Sequence, residues 1–229
     1  MTPRIARTAL IPALAALAFL AIREAHRDPS IVPVAQAPAG ATEDAPAPAS
    51  VREQAPDEQG ITLRSPEADL RASFDPGGIV VTCAGASDWK LRLRVTGIGR
   101  GGIQGTAARG APAVEGGEVA YRHSWGREAY AERAGGIEQL FEVRERPAGE
   151  GPLEIHLEAE GLTVARVMRH KAVFASGTKA VLEYGKLLVL DAGGSAVPAE
   201  MAGGGGGIRL IIDDRFASYP LLVDPLLGP

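Results

Sequence analysis

Residues 184–225 read YGKLLVLDAGGSAVPAEMAGGGGGIRLIIDDRFASYPLLVDP. Apolar runs at Leu187–Leu190, Ile208–Ile212 and Leu221–Val223 are divided by Asp-Ala-Gly-Gly, by a run of five glycines, and by Asp-Asp-Arg-Phe-Ala. Short β-rich runs bounded by Gly, Asp and Pro predict consecutive antiparallel strands. None of these turns carries a catalytic motif. The stretch therefore speaks to the fold and leaves the ligand unnamed.

The same pattern extends upstream to Ile61. Leu70–Phe74 and Ile79–Cys83 flank Asp75-Pro76-Gly77-Gly78, a turn whose glycines tolerate positive φ. Trp89, Leu91, Leu93 and Val95 alternate with Lys90, Arg92 and Arg94, which gives one buried and one wet face. Residues 97–117 are rich in Gly and Ala and read as a long loop. Glu118–His123 and Glu128–Glu132 predict a hairpin through Ser124–Arg127. Ile137–Arg146 and Pro152–Gly161 predict a second, through Pro147–Gly151, with Glu154, Glu158 and Glu160 facing Arg144 and Arg146 across it. Thr163–Met168, Ala172–Ala175 and Ala180–Tyr184 continue the series. No stretch shows a helical period. The expectation for residues 61–229 is an all-β domain, an antiparallel sandwich or two packed sheets of about twelve or more short strands.

The chain ahead of that domain is of another kind. Arg4 and Arg7 precede the 15-residue apolar run TALIPALAALAFLAI, Thr8–Ile22. A membrane-spanning helix needs about 20 apolar residues, so residues 1–27 read as a signal peptide or an N-terminal anchor. Residues 28–60 are rich in Ala, Pro, Glu and Asp and predict a disordered, solvated linker. A formal net charge of −4 gives no basis for binding nucleic acid. Cys83 is the single cysteine, so no disulfide can form within one chain.

Residues with chemical potential are scattered. Gly97-Ile-Gly-Arg-Gly-Gly102 matches the dinucleotide pattern, but a glycine- and proline-bearing segment follows where a helix must open. Gly203–Gly207 lacks the Lys-Ser/Thr of a phosphate loop and reads as a hairpin connection. His123, His156 and His170 are not at ligand spacing, and His156 reads as a solvated histidine among glutamates. Asp191, Asp213 and Asp214 read as turn caps rather than calcium ligands. Glu154, Glu158 and Glu160 share one strand face, which does not make a glycosidase acid pair. No nucleophile elbow is present. Cys83 falls in phase with Ile79 and Val81 and reads as buried, as does Trp89 with Leu91; Trp125 reads as an exposed loop tip. Tyr219-Pro220 marks an edge or strand start, and Asp224-Pro225 the end of the last strand. No catalytic, cofactor-binding or metal-ligating residue is assigned.

One resemblance is carried by named residues. They are Val119-Ala120-Tyr121; Gly136-Ile137-Glu138-Gln139-Leu140-Phe141; Tyr184 with Leu187; Asp191-Ala192 with Gly194; Val197-Pro198-Ala199; and the close Asp213-Asp214, Ala217, Tyr219-Pro220-Leu221, Val223 and Asp224-Pro225. This series resembles the β-rich module that stands N-terminal to FG-GAP or related β-propeller repeats in large secreted bacterial surface proteins, here without the propeller. Leu140 stands where that module usually has Gly. The resemblance implies an exported module of the cell envelope or exterior, structural or adhesive rather than enzymatic. Its implied partner is a protein or glycan at the cell surface, with membrane contact only through an uncleaved N-terminal segment. A carbohydrate- or calcium-binding module is the first alternative and an unrecognised hydrolase the second.

Overall fold

The computed structural model describes residues 60–229, apart from 86–87, 103–104 and 107–109. The N-terminal segment and all of the linker but Gly60 lie outside the described residues. The described strands are β1 Ile61–Ser65, β2 Leu70–Asp75, β3 Gly78–Cys83, β4 Lys90–Gly99, the two-residue β5 Gly105–Thr106, β6 Ala113–Glu115, β7 Glu118–His123 and β8 Gly126–Arg133. There follow β9 Gly136–Val143, β10 Leu153–Glu160, β11 Thr163–Met168, β12 Lys171–Ser176, β13 Lys179–Leu190, β14 Ala199–Gly204, β15 Gly207–Ile212 and β16 Leu221–Gly228.

These strands form two antiparallel sheets packed face to face. The first runs β1-β2-β3-β4-β10-β15-β14, with β5 added to β4. The second runs β11-β12-β13-β16-β9-β8-β7-β6. The sheets remain open, not closed into a barrel. Strand β1 packs near β8, and β14 near β11, so both sandwich edges are brought together. One apolar core runs between the sheets, from Leu63 and Phe74 through Leu93, Ile155 and Leu210 to Phe141, Phe174 and Tyr184. The two-residue alternation read in β4 and β10 places Leu91, Leu93, Val95, Leu153, Ile155 and Leu157 in that core.

Several expected hairpins are present. β2 and β3 pair through Pro76-Gly77, and β7 and β8 through Ser124-Trp125. The glycine run also turns a hairpin: Gly205 and Gly206, with φ of 62° and 81°, join β14 to β15. Such values suit a two-residue turn that only glycine-like residues enter freely.

Four expectations are corrected. The first concerns β9 and β10, which are not a hairpin. β9 pairs β8 and β16 in the second sheet, whereas β10 pairs β4 and β15 in the first. Pro147–Gly151 arches between sheets, because each strand has a buried face that the opposite sheet covers. Second, the sequence from 97 to 117 is not one loop, since β4 runs to Gly99 and β6 pairs β7. Third, Gly203–Gly207 is not all connection: Gly203 and Gly204 end β14, Gly207 opens β15, and only Gly205 and Gly206 form the turn. Fourth, Asp224-Pro225 does not end the last strand. β16 continues to Gly228, and Pro225 sits where its pairing with β9 passes from Val223 directly to Leu226. A proline in a central strand needs such an irregularity, because it has no N–H for the ladder.

Candidate functional site

Three segments converge at one end of the sandwich: the exit of β4, the arch after β9, and the loop after β15. At their meeting point Asp214 is fully buried and Arg100 is 3 % exposed. Arg100 donates from Nη1 to Asp214 Oδ1 at 2.9 Å and from Nη2 to Oδ2. It also donates to the carbonyl of Pro147 at 2.9 Å and of Gly151 at 2.5 Å. Arg146 donates to Asp214 Oδ2 at 3.0 Å, to the Asp214 carbonyl at 2.7 Å and to the Ala217 carbonyl at 3.0 Å. The Tyr219 hydroxyl donates to Asp214 Oδ2 at 2.5 Å, and Arg146 lies 5.2 Å from the centre of its ring. Burial alone would raise the Asp214 pKa; the bonds from Arg100 and Tyr219 and the charges of Arg100 and Arg146 hold it below the usual carboxylate value. Burial and the Asp214 carboxylate push the Tyr219 hydroxyl up.

This cluster fixes the loop Asp213–Tyr219, and the loop carries the most exposed large apolar side chain among the described residues. Phe216 is 94 % exposed. Arg215 forks onto Asp213 at 2.8 and 2.7 Å, and its guanidinium lies 5.8 Å from the Phe216 ring centre. Beside the loop opens a cleft of about 540 Å³ lined by Pro152, Arg169, Pro198, Glu200, Ile211 and Arg215, among others. The arrangement offers an aromatic face on a fixed base, next to a shallow pocket with charges of both signs.

A second polar cluster lies inside the core and is sealed. Glu128 accepts from Tyr130 at 2.5 Å and from Gln139 at 2.9 Å, and its other oxygen lies 3.0 Å from His123 Nε2. Gln139 in turn accepts from the Tyr184 hydroxyl at 2.7 Å. Burial, then the Glu128 charge, drives both tyrosine hydroxyls well above their ordinary value. The His123 side chain is fully buried, with Trp125 stacked on it at 4.5 Å. A His–Glu pair has the makings of proton-transfer chemistry, but this one sits between two sheets and specifies packing.

The remaining sequence candidates are dispersed. Gly97–Gly99 belong to β4, and Gly101 and Gly102 form a turn with positive φ. Asp191 is a turn cap as expected, accepting from Gly193 and Ser195 at 2.9 Å each. Asp214 is not a local cap but the buried anion described above. Glu158 pairs with Arg94, and Glu154 with His156 at 2.8 Å and Arg209 at 3.2 Å, so these carboxylates meet charges within the first sheet rather than Arg144 and Arg146. Cys83 is half-buried rather than buried, its thiol donating to Asp69 at 3.0 Å. Trp125 is not an exposed tip: it packs on His123 and lies 6.4 Å from Phe141. Among the described residues, no three His, Cys, Asp or Glu side chains converge to hold a metal.

The sequence did not single out Arg100, Glu128 or Phe216, and it set Arg146 against the glutamates of β10 rather than against Asp214. A signal for Glu128 existed, since it shares the buried phase of Tyr130. Fold and site together define an antiparallel β-sandwich with a locked, aromatic-tipped loop at one end. Searches of protein-family models and of characterised proteins return no match to the chain.

Proposed function

We propose that the chain is an exported, non-enzymatic module of the bacterial cell envelope or exterior, with a structural or adhesive role. The observation that carries this reading is the loop Asp213–Tyr219. An aromatic side chain 94 % exposed, on a base held by a buried ion cluster, is a preorganised contact. Preorganisation lowers the ordering cost of binding, and aromatic anchors dominate interface energetics. The basic and apolar N-terminal run supports export, and the Pro/Ala-rich linker supports presentation at a distance from the membrane. The resemblance to modules of secreted bacterial surface proteins supports the same location.

A glycan-binding role is the second reading. It is favoured by the cleft lined by Arg169, Glu200 and Arg215, whose last member lies 5.8 Å from the Phe216 ring centre, so that an aromatic face and polar groups stand near each other.

The test uses whole cells producing the full chain. A protease that cannot cross the envelope should remove the domain, and recovery of intact protein in the cytosol would overturn export. The purified chain should bind cell surfaces saturably, and Phe216→Ala should weaken that binding by about tenfold. Equal binding by the variant would remove the loop from the contact. A glycan panel then separates the two readings.

A further inference from the structure

The outward face of the first sheet sorts its charge along β4. Near the middle of the strand, Arg92 forks onto Asp75 at 2.9 Å, and Arg94 pairs with Glu158. One row further from Arg100 no such pairing occurs. Arg64 on β1 stands opposite Arg71 on β2, Arg71 opposite Thr82 on β3, and Thr82 opposite Lys90 on β4. Residues directly opposite share a face, so three cations and a hydroxyl form one line across four strands. Arg64 and Lys90 are exposed and Arg71 is half-buried. Among the described residues, none of the three makes a side-chain hydrogen bond or an ion pair. The acids near this row are turned elsewhere. Asp69 accepts from Cys83. Burial, then the charge of Glu67, raises the Glu132 pKa, which sets Glu67 beside β8. Like charges directly opposite cost stability, so the Arg64–Arg71 pair is not what holds β1 to β2.

We propose that this row binds an acidic polysaccharide, one whose sugars carry carboxylates. The line is about 14 Å long at 4.8 Å per strand spacing, room for a short run of sugar rings lying across the strands. Guanidinium groups fork onto carboxylates, and the lysine adds a third positive charge. Behind the cations runs a second row, Thr62, Ser73, Val80 and Arg92, whose hydroxyls suit a polyol. The surface is wrong for the other polyanions. Lipid headgroups come with an apolar layer, and the exposed large apolar side chains among the described residues, Val114 and Phe216, lie elsewhere. Single-stranded nucleic acid needs rings on which bases stack, and neither row carries one.

The row lies at the far end of β4 from Arg100, about 30 Å along the strand, so it is independent of what the Phe216 loop contacts. Meeting such a polymer in the cell rests on the proposed export; binding in solution does not.

The test titrates the full chain with sodium polygalacturonate at several salt concentrations, with dextran of similar length as the neutral counterpart. The chain should bind polygalacturonate, ignore dextran, and lose affinity as salt rises. Arg64→Gln together with Arg71→Gln should weaken binding at least tenfold. The slope of log affinity against log salt should fall by more than half, since two of three ionic contacts are gone. Arg166→Gln together with Lys179→Gln removes the same charge from exposed side chains of the second sheet and should change affinity less than twofold. The row variant should match or exceed the parent's urea midpoint, because it relieves a like-charge pair. No binding of polygalacturonate, equal binding of dextran, a row variant that binds as the parent does, or a control variant that falls as far would each overturn the proposal. So would a lowered urea midpoint in the row variant, or single-stranded DNA bound as tightly as polygalacturonate.

Discussion

Replacing Arg100 by Met tests whether the end cluster holds the sandwich together. Arg100 is 3 % exposed and its partner Asp214 is fully buried, so the substitution strands a carboxylate away from water. Breaking a buried pair from one side costs about 3–5 kcal/mol. Arg146 still reaches Asp214 at 3.0 Å, which places the expected cost near the lower bound, about 3 kcal/mol. The Pro147 and Gly151 carbonyls lose their donor at the same time. For a domain of this size the melting temperature should fall by about 6–12 °C, at about 2–4 °C per kcal/mol. Urea unfolding gives the free energy directly, with an unchanged m-value. The double variant Arg100→Met, Asp214→Leu should recover more than half of the loss, because the buried charge is gone and Arg146, 42 % exposed in its side chain, can turn to water. The acid limb offers a further check. The Asp214 pKa is lowered by folding, so its contribution is present above the unfolded value of about 3.9 and is lost as pH falls through the folded value. Arg100→Met should flatten that limb. A cost under about 1 kcal/mol, well below the buried-pair range, or a double variant no better than the single one, would refute the reasoning.

Other outcomes follow from the same structure. At Gly136 an added Cβ would stand 1.8 Å from the Leu227 carbonyl oxygen, so Gly136→Ala should destabilise by about 3 kcal/mol or prevent folding, read by urea titration. Tyr130→Phe removes one of the donors to Glu128 and leaves Gln139 and His123 in place, so a loss of about 1 kcal/mol is expected. Burial, then the charge of Glu138, raises the Asp224 pKa well above its ordinary value. The unfolded chain therefore releases this proton first as pH rises past about 3.9, and the folded state pays for the retained carboxyl. Asp224→Asn should raise the urea midpoint at pH 7 and leave it unchanged near pH 3; equal midpoints at pH 7 would contradict the assignment.

Much of the strand content was legible because alternation is a local property. Leu91, Leu93 and Val95, and Leu153, Ile155 and Leu157, declare a buried face whatever strand lies beside them. Partner choice is not local. β9, the five-residue arch and β10 carry the same pattern as a hairpin, and only the rest of the chain decides that β16 and β4 are the neighbours. Strand β14 was hidden because Ala202, Gly203 and Gly204 have little β propensity, and its pairing with β15 supplies the order. The end cluster was illegible for a related reason. Arg100, Arg146 and Asp214 are far apart in sequence, and Asp-Asp at a turn has a simpler local use. The site depends on three loops meeting, which no spacing rule records.

Strand β16 lies between β13 and β9, yet it follows every other strand in sequence. A ribosome therefore releases both neighbours long before the piece that joins them. Until residues 221–228 emerge, β13 and β9 lack the strand that pairs with both of them. Under the proposed export, such late closure would keep the chain passable, since a polypeptide that folds early cannot thread a channel.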